Sequence, residues 1–295
     1  MKLIVTGGRG FIGSHFVELA LSKGYKVVDI DKMNYASHES LPFDNDSNYT
    51  LIKEDISKIK YLPTCDIVVN FAAESHVDNS INASYPFIES SVLGVWNLLE
   101  LIRGKPIYDR PLFFHISTDE VYGDSGHPSN EEDVLNPSNP YSASKASAEL
   151  IIRSYNRTYG LDYMITRSSN NYGPRQYHEK LIQKCIHCLE EGKKIPLHGD
   201  GTYLRDWIYV KDNVEAIMML MESDKKNEIY NIACQNHIRN IDVVKEILKW
   251  YDASEDEIQF VDNRWGQDIC YNIDNTKVLG LGWNPKHPKG IYKWF

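Results

Sequence analysis

The chain opens on an apolar run. Lys2-Leu-Ile-Val-Thr6 is β-branched and has no polar break, the pattern of a short buried strand. Ser14 to Ser22 then repeats apolar residues at helical spacing. Lys26-Val-Val-Asp-Ile30 predicts a second strand, Tyr49 to Lys53 a third and Cys65 to Ala73 a fourth. Pro86 to Arg103 predicts a long helix, with Val92, Val95, Leu98, Leu99 and Ile102 on its apolar face. Pro111-Leu-Phe-Phe-His-Ile116 predicts another buried strand, and Tyr141 to Tyr159 another helix. Strands alternating with helices predict an α/β fold built on a parallel sheet with right-handed crossovers. From Ser168 the alternation loosens into loops such as Asn170 to Tyr177, His198 to Gly201 and Asn263 to Gln267.

Between the first strand and the first helix stands Gly7-Gly-Arg-Gly10-Phe-Ile-Gly13, a G-x-x-G-x-x-G turn. Glycine permits the tight turn, and the helix N-terminus offers its free amide groups to a pyrophosphate. A lone glycine motif is weak. This one has a strand before it, a helix after it, and Asp31 at the end of the second strand. An acid there accepts from the adenine ribose hydroxyls and repels a 2′-phosphate, which favours NAD over NADP. The expected architecture is a Rossmann-type doubly wound parallel sheet with a smaller C-terminal substrate-binding lobe. Residues 1–168 form the NAD-binding part, joined by some later segments, and 169–295 mainly the lobe.

Two acids, Asp119 and Glu120, follow the strand that ends near Ile116. In an open α/β sheet the carboxyl ends of the strands face the ligand. Adjacent acids describe a solvated turn equally well, so the neighbours decide. Tyr141 and Lys145 are four apart and share a helix face. A lysine cation beside a phenol is expected to lower its pKa, making Tyr141 a base for a hydroxyl proton. Ser117 or Thr118 supplies a hydrogen bond for a substrate oxygen. The same Tyr-Lys spacing arises by chance on many helices; after a full dinucleotide motif the chemical reading is preferred.

The totals exclude several classes. The chain has 295 residues and a net charge of −9, which argues against nucleic acid or an acidic membrane as partner. No apolar run approaches a membrane span. Met1 leads directly into the first strand, so no leader is expected. Five cysteines without a framework point to a reducing compartment, and the cytoplasm is the expected location. Cys185 and Cys188 lie one helical turn apart with no completing ligands, so no metal is expected.

On these residues the chain resembles the extended short-chain dehydrogenases, and within them the nucleotide-sugar 4,6-dehydratases. The resemblance runs almost end to end. It rests on Gly7 to Gly13, Asp31-Lys32, Ala72-Ala-Glu-Ser-His-Val-Asp78, Ser117 to Gly123, Tyr141 to Lys145, Ser168 to Pro174, Glu179-Lys-Leu-Ile182 and Gly199 to Trp207. The Thr118-Asp119-Glu120 triplet is its discriminating part, because the 4-epimerases that look similar lack the acid pair.

The resemblance implies a lyase that uses NAD. Thr118, Asp119, Glu120, Tyr141 and Lys145 would be catalytic, with Glu120 the C5 base and Asp119 the acid for the C6 hydroxyl. It implies a cofactor site of Gly7, Gly10, Phe11, Ile12, Gly13, Asp31, Lys32, Asn34, Asp55, Ile56, Phe71, Ala72, Ala73, Ser75, Ser90, Tyr141, Lys145 and Asn171. The nucleotide-diphosphate sugar would meet Ser75, Thr118, Asn170, Lys180, Leu181, Pro196, His198, Arg205, Asn240, Arg264 and Gln267. Arg205 and Arg264 fit independently, since a diphosphate in an acidic protein needs local guanidinium groups. A homodimer through the Pro86–Arg103 and Tyr141–Tyr159 helices is also implied. His198 and Gln267 depart from the family pattern where a tyrosine and a histidine are usual. Both dTDP-glucose and UDP-glucose therefore stay open as substrates. A 4-epimerase or decarboxylase of the same fold, and a non-catalytic NAD-binding sensor, are the alternatives.

Overall fold

The computed structural model describes every residue except Arg264 and Gln267. In chain order its first half runs β1 (Lys2–Thr6), α1 (Phe11–Ser22), β2 (Lys26–Ile30), β3 (Tyr49–Ile52), β4 (Ile67–Asn70), α2 (Val77–Asn82), α3 (Tyr85–Phe87), α4 (Gly94–Arg103), β5 (Leu112–Thr118) and α5 (Pro140–Tyr159). The second half runs β6 (Tyr163–Ser168), β7 (Asn170–Tyr172), α6 (Leu181–Glu190), β8 (Ile195–His198), β9 (Leu204–Tyr209), α7 (Val210–Met221), β10 (Glu228–Ile232), β11 (His237–Arg239), α8 (Asn240–Trp250), β12 (Ile258–Val261) and α9 (Thr276–Leu279).

Seven strands form one sheet in the order β10-β6-β5-β4-β1-β2-β3, and every pairing within it is parallel. From β1 the chain winds outward through β2 and β3. It then returns to β4 and winds the other way. The reversal lies between β1 and β4, and there the connecting loops diverge to leave a crevice at the carboxyl ends.

The side-chain alternation of β1 shows why both faces must be covered. Leu3 and Val5 enter one apolar cluster with Phe16, Val17 and Ala20 of α1. Ile4 enters the other, with Leu98 and Ile102 of α4 and Ala148 and Ile152 of α5. A strand buried on both sides reads as a continuous apolar run, which is how Leu3 to Val5 appears in the sequence.

The later segments divide. β7, β9 and β11 form a three-stranded sheet, and β8 pairs with β12. β10 instead returns to the edge of the large sheet beside β6, and α7 packs on α1. No helix among the described residues is long and apolar enough to cross a membrane.

Two expected elements differ in detail. The helix expected over 86–103 is interrupted by a π-helical turn at Ile88–Leu93. Such turns insert one residue and are frequent at functional sites. Here the turn brings Ser90 to Glu74, whose amide donates to the Ser90 hydroxyl at 3.2 Å. Strand β5 continues past Ile116 to Thr118, because its ladder with β6 runs as far as the Thr118–Ser168 pair.

Candidate active site

Three local devices build the site. The first is the glycine turn. Gly7 has φ +71°, and a Cβ there would stand 2.7 Å from the Ala72 amide. A Cβ on Gly13 would stand 2.2 Å from the Gly7 carbonyl. Only glycine lets the turn fold this tightly against α1 and the end of β4.

The second device is the end of β5. The chain leaves Thr118 through a 3₁₀ turn, Asp119–Tyr122, whose Glu120 amide donates to Thr118 Oγ1 at 3.3 Å. Behind it lies a buried polar network. Ser117 Oγ donates to Glu149 at 2.5 Å, and Arg167 binds the same carboxylate through Nε and a second nitrogen, the latter at 2.6 Å. Arg167 also donates to Tyr122. Breaking such a pair leaves a buried charge uncompensated at a cost of about 3–5 kcal/mol. Glu149 and Arg167 thus fix the strand end that carries Thr118 and both acids.

The third device is α5. Asn139 caps it in a reciprocal capping box with Ser142, and Pro140 occupies its first turn. That start places Tyr141 and Lys145 on the buried face, with Lys145 Nζ donating to the Ile116 carbonyl at 2.6 Å.

Two adjoining clefts open at these ends. One is lined by Gly7, Gly10, Phe11, Ile12, Gly13, Asp31, Lys32, Asn34, Asp55, Ile56, Phe71, Ala72, Ala73, Ser75, Ser90, Tyr141 and Lys145. These are the residues expected around a dinucleotide, except Asn171, which lines the second cleft. The cradle fits NAD. The glycine turn leaves the space that a Cβ would fill, and Asp31 lines the same cleft.

The second cleft gathers Ser75, Thr118, Asp119, Glu120, Tyr141, Asn170, Asn171, Lys180, Leu181, Pro196, His198, Arg205 and Asn240. Arg264 and Gln267 lie outside the described residues. Tyr141 belongs to both clefts, so its phenol stands at their junction. Asp119 Oδ2, Asn170 Oδ1, Asn240 Oδ1, His76 Nδ1 and Trp207 Nε1 are buried there without a hydrogen-bond partner among the described residues. Buried polar atoms left open around a cleft suit a polyhydroxylated ligand.

The electrostatics separate the two acids. Burial raises the Asp119 carboxyl well above the usual carboxylate range; Glu120 and Asp206 add to this, and Arg205 opposes it. Burial thus favours the protonated form of Asp119, and Oδ2 has no partner among the described residues. The Tyr141 phenol is raised, first by burial and then by Glu120, and a Thr118 hydrogen bond only partly offsets this. The lowering expected from Lys145 is absent because that ammonium is turned onto the Ile116 carbonyl. Lys145 itself falls to about 8 through burial, with Glu149 opposing.

Several participants carry no sequence signal. Tyr271, 4% exposed, donates to Asp268 at 2.6 Å and lies 3.4 Å from Glu120 Oε2. Arg205 stacks over the Tyr271 ring at 4.4 Å and donates to the carbonyls of Leu204, Asp268 and Ile269. Among the described residues that leaves two of a guanidinium's five donors uncommitted.

A profile of the GDP-mannose 4,6 dehydratase family matches residues 4–288, nearly the whole chain. The chain belongs to this family. The low-salt glycan biosynthesis protein Agl12 of Haloferax volcanii is 42% identical to this chain, over 97% of this chain and 94% of its own length. The dTDP-glucose 4,6-dehydratase of Salmonella typhimurium is 40% identical over 97% of this chain and 88% of its own. The crystal structure of DesIV, a dTDP-glucose 4,6-dehydratase from Streptomyces venezuelae with NAD and TYD bound, superposes with a TM-score of 0.91. It is 36% identical, covering 97% of this chain and 92% of DesIV. A UDP-glucuronic acid 4-epimerase from Bacillus cereus shares the fold at 27% identity and a TM-score of 0.90, covering 97% of this chain and 94% of its own. This GDP-mannose 4,6 dehydratase family member thus has both dehydratase and epimerase neighbours in fold.

Proposed function

We propose that the protein is an NAD-dependent nucleotide-diphosphate-glucose 4,6-dehydratase. It would convert dTDP-glucose or UDP-glucose to the 4-keto-6-deoxyglucose nucleotide and water. One observation carries this reading over a 4-epimerase: Asp119 is buried directly beside Glu120, with Oδ2 meeting no partner among the described residues, and burial favours its protonated form. An epimerase needs only a hydroxyl base and a hydride acceptor. A buried acid next to a carboxylate is what an elimination adds.

The residues divide the work. Tyr141, at the junction of the clefts, removes the sugar 4-hydroxyl proton, while Thr118 holds the phenol by a hydrogen bond. Bound NAD supplies the hydride acceptor at C4 and the hydride donor at C6. The C4 ketone acidifies the C5 hydrogen, and Glu120 takes it as a proton and returns it to C5 once hydride has reached C6. Asp119 gives its proton to the departing C6 hydroxyl, which leaves as water. Lys145 ties α5 to the end of β5 through the Ile116 carbonyl and so positions Tyr141. Lys180, whose ammonium donates to the Ser75 carbonyl at 2.6 Å, and Arg205 stand where a diphosphate is expected.

Incubation of the purified protein with dTDP-glucose and with UDP-glucose, read by mass spectrometry, tests the proposal. A product lighter than one of the substrates by one water is expected. A product of unchanged mass from both would assign the protein to the epimerases.

We also infer a homodimer. Tyr85, Leu93 and Trp96, on or beside α3 and α4, are exposed, as are Leu150 and Tyr159 on α5. The two helices pack side by side, which puts exposed apolar side chains on both members of the pair. Ala146 and Ala148, by contrast, are buried within the chain. Light scattering at micromolar concentration should give twice the chain mass, and a monomer would reject the dimer.

A further inference from the structure

Arg9 sits inside the glycine turn, between Gly8 and Gly10, yet its side chain is 1% exposed. Its amide donates to Asp31 Oδ2 at 3.0 Å, so its backbone touches the acid expected to read the adenine ribose. The guanidinium points the other way. Nε donates to the His38 carbonyl at 2.8 Å, and a terminal nitrogen to the Glu39 carbonyl at 2.7 Å. The other terminal nitrogen binds the Asp44 carboxylate and lies 3.5 Å from Tyr49 Oη. The His38 amide returns a bond to the Arg9 carbonyl at 2.9 Å.

The remaining charges around this corner are paired too. Lys32 forms an ion pair with Glu74 at 2.6 Å. Asp31 Oδ1 accepts from the Met33 amide at 2.8 Å and from Ser37 Oγ at 2.9 Å. Asp29 accepts from the Gly8 amide and from Tyr49 Oη. Arg9, whose amide touches Asp31, and Lys32, which follows Asp31 in the chain, are thus each held by their own carboxylate. A guanidinium free at this place is what a 2′-phosphate would need.

We propose that Asp44 is a cofactor-selecting residue: by locking Arg9 into the 38–49 loop it withholds that guanidinium from a 2′-phosphate. Discrimination against NADP then has two parts. Asp31 repels the phosphate, and Asp44 sequesters the cation that would receive it. This rests on the cofactor being NAD and is independent of which sugar reaction follows.

The test is binding, not turnover. Protein freed of bound nucleotide is titrated with NAD and with NADP by calorimetry, as the native chain, Asp31→Ser, Asp44→Asn and the double variant. Asparagine removes the charge and keeps an acceptor for the Leu41 amide, which Asp44 Oδ2 binds at 2.9 Å. The double variant should bind NADP about tenfold or more tightly than Asp31→Ser alone, the scale of one charge-assisted contact. NAD affinity should change far less between those two. Adding Arg9→Ala should erase the gain. Equal NADP affinity in Asp31→Ser and the double variant would overturn the proposal, as would a gain that survives Arg9→Ala. Failure of the sugar-nucleotide mass assay leaves this result untouched, so the two readings fail separately.

Discussion

Tyr141→Phe should stop the reaction before any oxidation. The substitution deletes one oxygen from a side chain that is otherwise held by packing. Its ring meets Phe87 edge-on at 6.2 Å, and phenylalanine keeps that contact. The lost Thr118 hydrogen bond costs about 1 kcal/mol of stability at most. The chemical loss is far larger. Without the phenol no group at the junction of the clefts takes the 4-hydroxyl proton, and a positioned base is worth roughly 10²–10⁴-fold. Burial and Glu120 already raise this phenol in the free protein, so its ionisation depends on what binds beside it. The check is single-turnover absorbance of the reduced nicotinamide after mixing with substrate. None should form. Reduced cofactor appearing at the native rate would remove Tyr141 from the base role.

Glu120→Gln should fail later. Its side chain keeps its shape, and Tyr271 Oη stays within reach of an amide oxygen at the position it now faces across 3.4 Å. What disappears is the acceptor for the C5 proton. Oxidation at C4 uses Tyr141 and should continue, while water loss should fall by roughly 10²–10⁴-fold. Removing the charge also relieves two neighbours, since Glu120 raises both Asp119 and Tyr141. The expected signature is accumulated reduced nicotinamide with no product lighter by one water. Loss of oxidation and dehydration to the same extent would argue against a dedicated C5 base.

Much of this was legible in the chain because the relevant patterns are local. Leu3 to Val5, the glycine turn and α1 follow one another directly, and burial on both faces of β1 leaves no choice but an apolar run. Tyr141 and Lys145 are legible for the same reason: four residues on a helix share a face. Asp119 and Glu120 mark a strand end that the sheet order then brings to the crevice.

What escaped depends on distance or on competing bonds. Tyr271 and Asp268 approach Glu120 from about 150 residues further along the chain, through an irregular loop with no periodicity to mark it. The π-turn at Ile88–Leu93 inserts a residue within an otherwise helical pattern, and apolar spacing is blind to it. The shift of Tyr141 went opposite to expectation because spacing puts Lys145 on the same face but says nothing of where its ammonium points. The Ile116 carbonyl claims it. Arg9 fills an x position of the G-x-x-G-x-x-G turn, where the motif prescribes no side chain. Only the fold shows its side chain buried against a loop some 30 residues away.

The central claim is that one active site oxidises C4, eliminates water across C5 and C6, and returns the hydride to C6. Nucleotide-glucose carrying deuterium at C4 tests this most directly, with the product read by mass spectrometry and NMR. The account predicts a product that has lost one water, keeps the deuterium and carries it on the new C6 methyl group. Deuterium still at C4 in a product of unchanged mass would contradict it, and so would a dehydrated product whose methyl group holds no deuterium.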